Sequence, residues 1–250
     1  MKLKVLGSSS KGNCYLIESP TGSLLLECGL PWREIQKGLE FDLSDVLGCL
    51  ISHSHLDHCK AVRDVLRNGI DVWVTEETMR DMPEQKDNYY RLPYLCSPIK
   101  HLGIKDFSIV PFETEHDAEG SVGFLIQYRP TGEKLLYLTD SCYCKYKFNK
   151  LNYIAIECNY TKETLDKNVE AGLIDEALKR RLLESHFSLE HVKDFLRAND
   201  LSQCRKIVLL HLSDYNSDAA RMKNEIEALT GIDTVVAEPG LEVELELYPY

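Results

Sequence analysis

Short apolar runs in this chain end repeatedly in residues able to bind a metal. The densest case is Leu50-Ile51-Ser52-His53-Ser54-His55-Leu56-Asp57-His58, an apolar run closing on a His-x-His-x-Asp-His cluster. Ser108 to Phe112 leads to His116. Leu135-Leu136-Tyr137-Leu138-Thr139 ends at Asp140, and Ile207-Val208-Leu209-Leu210 ends at His211. A further run, Leu24-Leu25-Leu26, ends at Glu27-Cys28-Gly29. Runs of this length bounded by polar residues read as buried strands. Layered α/β proteins gather their sites where strands end in loops, so the recurrence points to that class of fold.

The ligand types narrow the chemistry. Imidazoles and carboxylates at this density suit borderline divalent metals such as zinc, manganese or iron. On an extended backbone, alternation puts His53, His55 and Asp57 on one side, with His58 joining them once the chain turns. Taken singly, His116 and His211 would be hydrogen-bonded loop residues and Asp140 a turn or cap residue. Their order after the cluster makes them ligands instead. Seven candidates exceed the needs of one four-coordinate ion, so two divalent metals are expected.

Composition limits the partners. The chain has 29 basic and 40 acidic residues and a net charge of −11. That disfavours a broad nucleic-acid-coating surface. A nuclease stays possible, because two bound metals would add positive charge where a phosphate must sit. Met1-Lys2-Leu3-Lys4-Val5 starts a strand without a signal-peptide hydrophobic region, and no apolar run reaches membrane-spanning length. A soluble cytoplasmic protein without membrane contact is expected. The nine cysteines are odd in number and accompany no secretion signal, so they read as small buried hydrophobes rather than disulfide partners. Cys59, Cys142 and Cys144 lie near the proposed ligands in sequence. Without a linker or repeat in 250 residues, 1–250 reads as one domain.

Strands are expected at 3–6, 15–17, 24–26, 50–52 and 72–74, and later at 154–156 and 207–210. A helix carrying Ala61, Val62, Val65 and Leu66 should stop at Asn68-Gly69. Residues 79 to 103 look like an irregular excursion. Residues 124–126 and 135–139 read as a hairpin about Pro130-Thr131-Gly132. Ser188 caps one later helix, and Ser217 caps another that ends at Gly231. Two batches of strands, each with helices, suit two packed sheets with helices outside, a four-layer αββα sandwich.

The ordered series His53, His55, Asp57, His58, His116, Asp140 and His211 resembles the ligand set of the metallo-β-lactamase fold superfamily, over about residues 2 to 212. More narrowly, the chain is similar to the small YycJ (WalJ)-type members. Residues 6–17, with the loop Gly7-Ser8-Ser9-Ser10-Lys11-Gly12-Asn13, carry that likeness. So do Ser185-His186-Phe187-Ser188-Leu189-Glu190 and Leu209-Leu210-His211-Leu212-Ser213-Asp214-Tyr215-Asn216-Ser217. The chain departs from the superfamily's usual pattern at Glu27, where Asp is common, and at Ser141-Cys142-Tyr143-Cys144, where Thr-Gly is commoner.

The resemblance implies that His53, His55 and His116 hold one metal, that Asp57, His58 and His211 hold the second, and that Asp140 bridges them. It implies a metal-dependent hydrolase and a phosphodiester substrate, with DNA ends or a nucleotide as the target and zinc or manganese as the metals. Two such cations can share a water and lower its pKa, giving a bridging hydroxide nucleophile. Asp57 and His186 are the catalytic candidates, with His186 meeting a phosphate oxygen or protonating the leaving group. Ser9, Ser10, Lys11 and Asn13 offer an anion cradle of N–H groups, hydroxyls and an ammonium. A cyclic-nucleotide or other small phosphodiesterase is the alternative, and a thioester or lactone hydrolase a more distant one.

Overall fold

In the computed structural model, residues 1–82 and 91–245 are described. Strands β1 (Lys2–Gly7), β2 (Cys14–Ser19) and β3 (Gly22–Leu26) open the chain, followed by helix α1 (Trp32–Gly38) and β4 (Val46–Leu50). Next come α2 (Leu56–Cys59), α3 (Val62–Arg67), β5 (Val72–Val74), α4 (Glu76–Asp81) and β6 (Tyr94–Leu95). Then follow β7 (Leu102–Ile104), β8 (Phe107–Glu113), β9 (Val122–Tyr128), β10 (Glu133–Leu138) and β11 (Tyr153–Glu157). The remainder is α5 (Lys162–Glu170), α6 (Glu176–Ser185), α7 (Leu189–Ala198), β12 (Lys206–Leu210), α8 (Ala219–Thr230), β13 (Asp233–Val236) and β14 (Glu242–Glu244).

Two compact units emerge. The first comprises Met1–Glu113, Ala118–Gly132 and Ala237–Tyr250, and the second Thr114–Asp117 and Glu133–Val236. In the first, a seven-stranded sheet runs β14-β1-β2-β3-β4-β5-β6. Its pairs are antiparallel from β14 to β3 and parallel from β3 to β6. Leu25, Cys49, Ile51, Val65 and Val72 build a buried core with Ile35 of α1. An antiparallel β7-β8-β9 meander belongs to the same unit. The second unit carries the parallel run β10-β11-β12-β13. Every residue of β11 is buried, as expected of a parallel strand covered on both faces.

Local signals set several boundaries. Ser188 accepts from the His191 N–H and starts α7, whose Val192, Phe195 and Leu196 are buried as expected. Gly231 adopts the left-handed conformation (φ 68°) that ends α8. The cap of α8 is Asp218, which accepts from the Arg221 N–H. Ser217, one residue earlier, instead donates its hydroxyl to the Ser213 carbonyl at 2.6 Å. The 79–103 stretch is less irregular than expected: α4 enters it, and it holds β6 and the start of β7. Its residues 83–90 lie outside the described residues. Helices α5 and α6, absent from the sequence reading, are polar and half-exposed and lack a strong apolar stripe.

Three backbone loops of the first unit cross at van der Waals limits beside the histidine cluster. The Asn13 N–H donates to the Asp57 carbonyl at 2.7 Å, and the Gly29 N–H donates to the Asn13 carbonyl at 2.9 Å. A Cβ on Gly29 would lie 1.6 Å from the Asp57 carbonyl oxygen. Gly29→Ala should therefore cost about 1–3 kcal/mol of stability in urea unfolding. Gly103→Ala, where a Cβ meets nothing within 4 Å, should stay within about 0.5 kcal/mol of wild type. A stable Gly29→Ala protein would contradict the close crossing.

Candidate metal centre

The first group of ligand candidates sits at the end of β4. The strand stops at Leu50, two residues earlier than the sequence suggested. His55 precedes α2, so Asp57 and His58 lie in a helical turn rather than on an extended backbone. That turn rotates His58 back toward His53: their ring centroids are 4.1 Å apart, and those of His53 and His55 are 4.7 Å apart. His53 and His58 are buried. His53 Nδ1 lies 2.8 Å from the Ser52 hydroxyl, a bond that orients the ring and leaves Nε2 as the nitrogen able to ligate a metal.

Two neighbours fix this group. Glu27, in the left-handed conformation (φ 65°) directly after β3, is fully buried. Its carboxylate accepts from the Ser52 N–H at 3.1 and 3.3 Å and stands 3.6 Å from His58 Nδ1. Asn13 is also buried. Its amide nitrogen lies 3.3 Å from Asp57 Oδ2 and 3.1 Å from His58 Nε2, and the Tyr15 hydroxyl is 3.2 Å from its Oδ1. Of the proposed anion cradle, then, Asn13 points inward to the ligand group. Ser10 and Lys11 are exposed and Ser9 is half-buried, with the Ser9 hydroxyl accepting from the Lys11 N–H at 3.2 Å.

The second group is built at the ends of β10, β11 and β12. Asp140 (φ 41°) and His211 (φ 51°) both turn left-handed just past their strands. Such conformations cost about 1–3 kcal/mol in a non-glycine residue and persist where the surroundings over-determine them. His211 Nδ1 lies 2.8 Å from Asp140 Oδ1, which also accepts from the Thr139 hydroxyl at 2.7 Å. His116 Nδ1 donates to the Ser185 carbonyl at 3.0 Å, which leaves Nε2 as the ring nitrogen able to ligate a metal.

Glu157 was missed in the sequence, although it ends the buried run 154–156 just as Asp140 and His211 end theirs. It is fully buried. It accepts from the N–H groups of Ser141 at 3.2 Å and Phe187 at 3.0 Å. Its Oε1 lies 2.6 Å from His186 Nδ1 and 3.4 Å from His211 Nδ1. Burial and the Asp140 charge oppose ionisation of Glu157, but His186 and His211 hold its pKa below the usual carboxylate value. Burial likewise opposes charge on His211, yet Asp140 and Glu157 push its pKa up to about 10. His186 is raised by the same two carboxylates against its own burial.

Asp140, Glu157, His186 and His211 each offer a ligand atom within 4.8 Å of the others. Two carboxylates and two imidazoles gathered in a buried place form a donor set that fits a divalent cation. No cysteine takes part in such a group among the described residues. All nine cysteines are free; Cys59 donates to the Ser54 carbonyl at 3.1 Å, and burial raises its pKa far above the ordinary thiol value.

A sequence model of the metallo-beta-lactamase superfamily matches residues 9–135. The chain belongs to that superfamily. It is 26% identical over 264 residues to "Exodeoxyribonuclease WalJ" of Streptococcus pneumoniae serotype 2 (strain D39 / NCTC 7466), covering 99% of this chain and 93% of that relative. It is 25% identical over 237 residues to "Exodeoxyribonuclease YycJ" of Bacillus anthracis, covering 89% and 87%. Among solved structures, the metallo-beta-lactamase fold protein YhfI from Bacillus subtilis superposes with a TM-score of 0.72 at 15% identity, covering 97% of this chain and 99% of that one. The αββα fold expected from the strand batches is therefore the fold of the chain. It is a superfamily hydrolase whose His/Asp groups suggest divalent-metal binding. No helix among the described residues is long and apolar enough to cross a membrane.

Glu157 touches the imidazoles from behind, where an outer carboxylate raises a ligand's basicity and fixes its tautomer. Glu157→Gln should keep the fold but weaken metal affinity by about 10- to 100-fold, measured by competition with a chromogenic chelator. Wild-type affinity in that variant would remove Glu157 from the metal centre.

Proposed function

We propose that the chain is a binuclear metal-dependent phosphodiesterase that shortens DNA from its ends, with residues 1–250 acting as one domain. The observation that carries this is the Glu157–His186 bond at 2.6 Å. It holds an imidazole whose side chain is 14% exposed beside the buried Asp140 and His211. An imidazole whose basicity a carboxylate raises, at the edge of a ligand group, suits a phosphate oxygen or a leaving alkoxide better than a neutral acyl group. The named exodeoxyribonuclease relatives, alike over nearly their whole length, support DNA as the polymer.

When bound, zinc or manganese supplies charge neutralisation and the activation of water. His53, His55 and His116 would hold one ion and Asp57, His58 and His211 the other, with Asp140 shared. The chain's own residues do the rest. Ser52 and Ser185 set the tautomers of His53 and His116. Asn13 and Glu27 hold His58, and Asn13 also holds Asp57. His186 offers Nε2 to the phosphate or the departing oxygen, its Nδ1 proton retained by Glu157. Ser9, Ser10 and Lys11 supply further contacts for the phosphate. Nine free thiols suit a reducing cytoplasm.

Elemental analysis after reconstitution should give two metal equivalents per chain; a value fixed at one would overturn the binuclear assignment. His186→Ala should lower turnover by about 10²-fold or more with metal content intact. Linear DNA should be degraded and covalently closed circles spared. Robust hydrolysis of cyclic mononucleotides with inert DNA would transfer the assignment to a small-substrate phosphodiesterase.

A further inference from the structure

The loop leaving Asp140 differs in charge from the rest of the chain. Residues 141–156 hold three lysines, Lys145, Lys147 and Lys150, and no carboxylate, in a protein of net charge −11. Aromatic residues alternate with these lysines: Tyr143, Tyr146 and Phe148. The segment is neither helix nor strand between β10 and β11, yet exposure alternates along it. Cys144 and Phe148 are buried, while Tyr143, Lys145 and Lys147 face solvent.

The buried row anchors the segment. The Phe148 N–H donates to Asn199 Oδ1 at 2.7 Å, and its ring lies 6.3 Å from that of Phe195. Closer to Asp140, the Cys142 N–H donates to the Glu115 carbonyl at 2.9 Å. The Cys142 carbonyl accepts from His191 Nδ1 at 2.9 Å. The Ser141 hydroxyl donates to the Tyr143 carbonyl at 2.7 Å. Tyr143 is thus held firmly by its backbone neighbours while its side chain is 56% exposed. Folding gains little from an aromatic ring left in water. A ring carried on an anchored backbone loses less freedom on stacking against a ligand than one on a mobile loop.

Building on the phosphodiesterase assignment, we propose that residues 143–150 are a track for one single strand of the nucleic-acid substrate. Tyr143 stacks on an unpaired base, and Lys145, Lys147 and Lys150 engage phosphates. Aromatic platforms interleaved with cations are how proteins hold single strands without sequence preference. Charge complementarity favours this strip over Lys179-Arg180-Arg181 on α6. There Lys179 is 2.8 Å from Asp166 and Arg181 is 3.1 Å from Asp117, so carboxylates already meet the cations. Lys145 lies 3.9 Å from the Glu115 carboxylate, further than either pair on α6, and 5.4 Å over the Tyr146 ring, and an ion pair between two half-exposed groups contributes little.

The test measures binding of a fluorescein-labelled single-stranded DNA in EDTA by anisotropy, over a salt series. It then compares kcat/KM for that DNA with kcat/KM for bis-p-nitrophenyl phosphate in the metal-loaded enzyme. In the triple variant K145Q/K147Q/K150Q the log–log salt slope should become shallower by about 2, since each phosphate contact contributes about 0.7 on single strands. K145R/K147R/K150R should keep the wild-type slope. Tyr143→Ala should weaken DNA binding by about 5- to 100-fold, and Tyr143→Trp should restore it. In both loss variants the ratio of the two kcat/KM values should fall in the same sense. Wild-type slope and affinity in the glutamine and alanine variants would overturn the track. Equal losses on both substrates, with a lowered melting temperature, would also overturn it by making the segment structural. A wild-type protein that binds DNA through the strip but hydrolyses no phosphodiester would overturn the proposed function and leave the track standing.

Discussion

Two buried glutamates each hold one group of candidate ligands in place. A carboxylate taken out of water loses several kcal/mol of solvation unless N–H groups and positive charge surround it. Glu27 meets this demand with the Ser52 N–H and the His58 ring. Glu157 meets it with the N–H groups of Ser141 and Phe187 and the rings of His186 and His211. Each glutamate therefore dictates where the neighbouring loops run. The left-handed backbone at Glu27, Asp140 and His211 costs about 1–3 kcal/mol at each residue and persists where the buried side chain is held by its neighbours.

The proposed function asks an acidic chain to serve an anionic substrate. Net charge acts at long range and is screened within about 8–10 Å in ordinary salt, whereas the reacting phosphate is governed by what lies next to it. In the proposed reading the metal ions, His186 and the lysines of residues 145–150 would all act locally. An acidic body of net charge −11 disfavours broad binding to duplex DNA, which fits the proposed action at ends.

A hydrolase of acyl groups on the same fold would need an apolar or neutral cradle beside the metals. Beside Asp140 and His211 stands His186, whose pKa Glu157 and Asp140 raise against its burial. A purely structural metal site would be closed and rich in cysteine, while the donor groups here contain imidazoles and carboxylates, and the nine thiols lie outside them.

What the sequence alone determined follows from short range and repetition. Period-two and continuous apolar runs announced the strands, the Ser188 cap announced α7 because its partner is three residues away, and Gly231 announced the end of α8. The His-x-His-x-Asp-His string announced the metal chemistry because no folding need explains it. The tertiary structure decided the rest. Asp57 and His58 joined a helical turn because the loops at Asn13 and Gly29 cross them there. Asn13 turned inward to those same residues. Glu157 became part of the centre through partners 16, 29 and 30 residues away. A glutamate after an apolar run looks the same in sequence whether it faces water or a buried histidine. Only the folded chain supplies the N–H groups and imidazoles that make burying it tolerable.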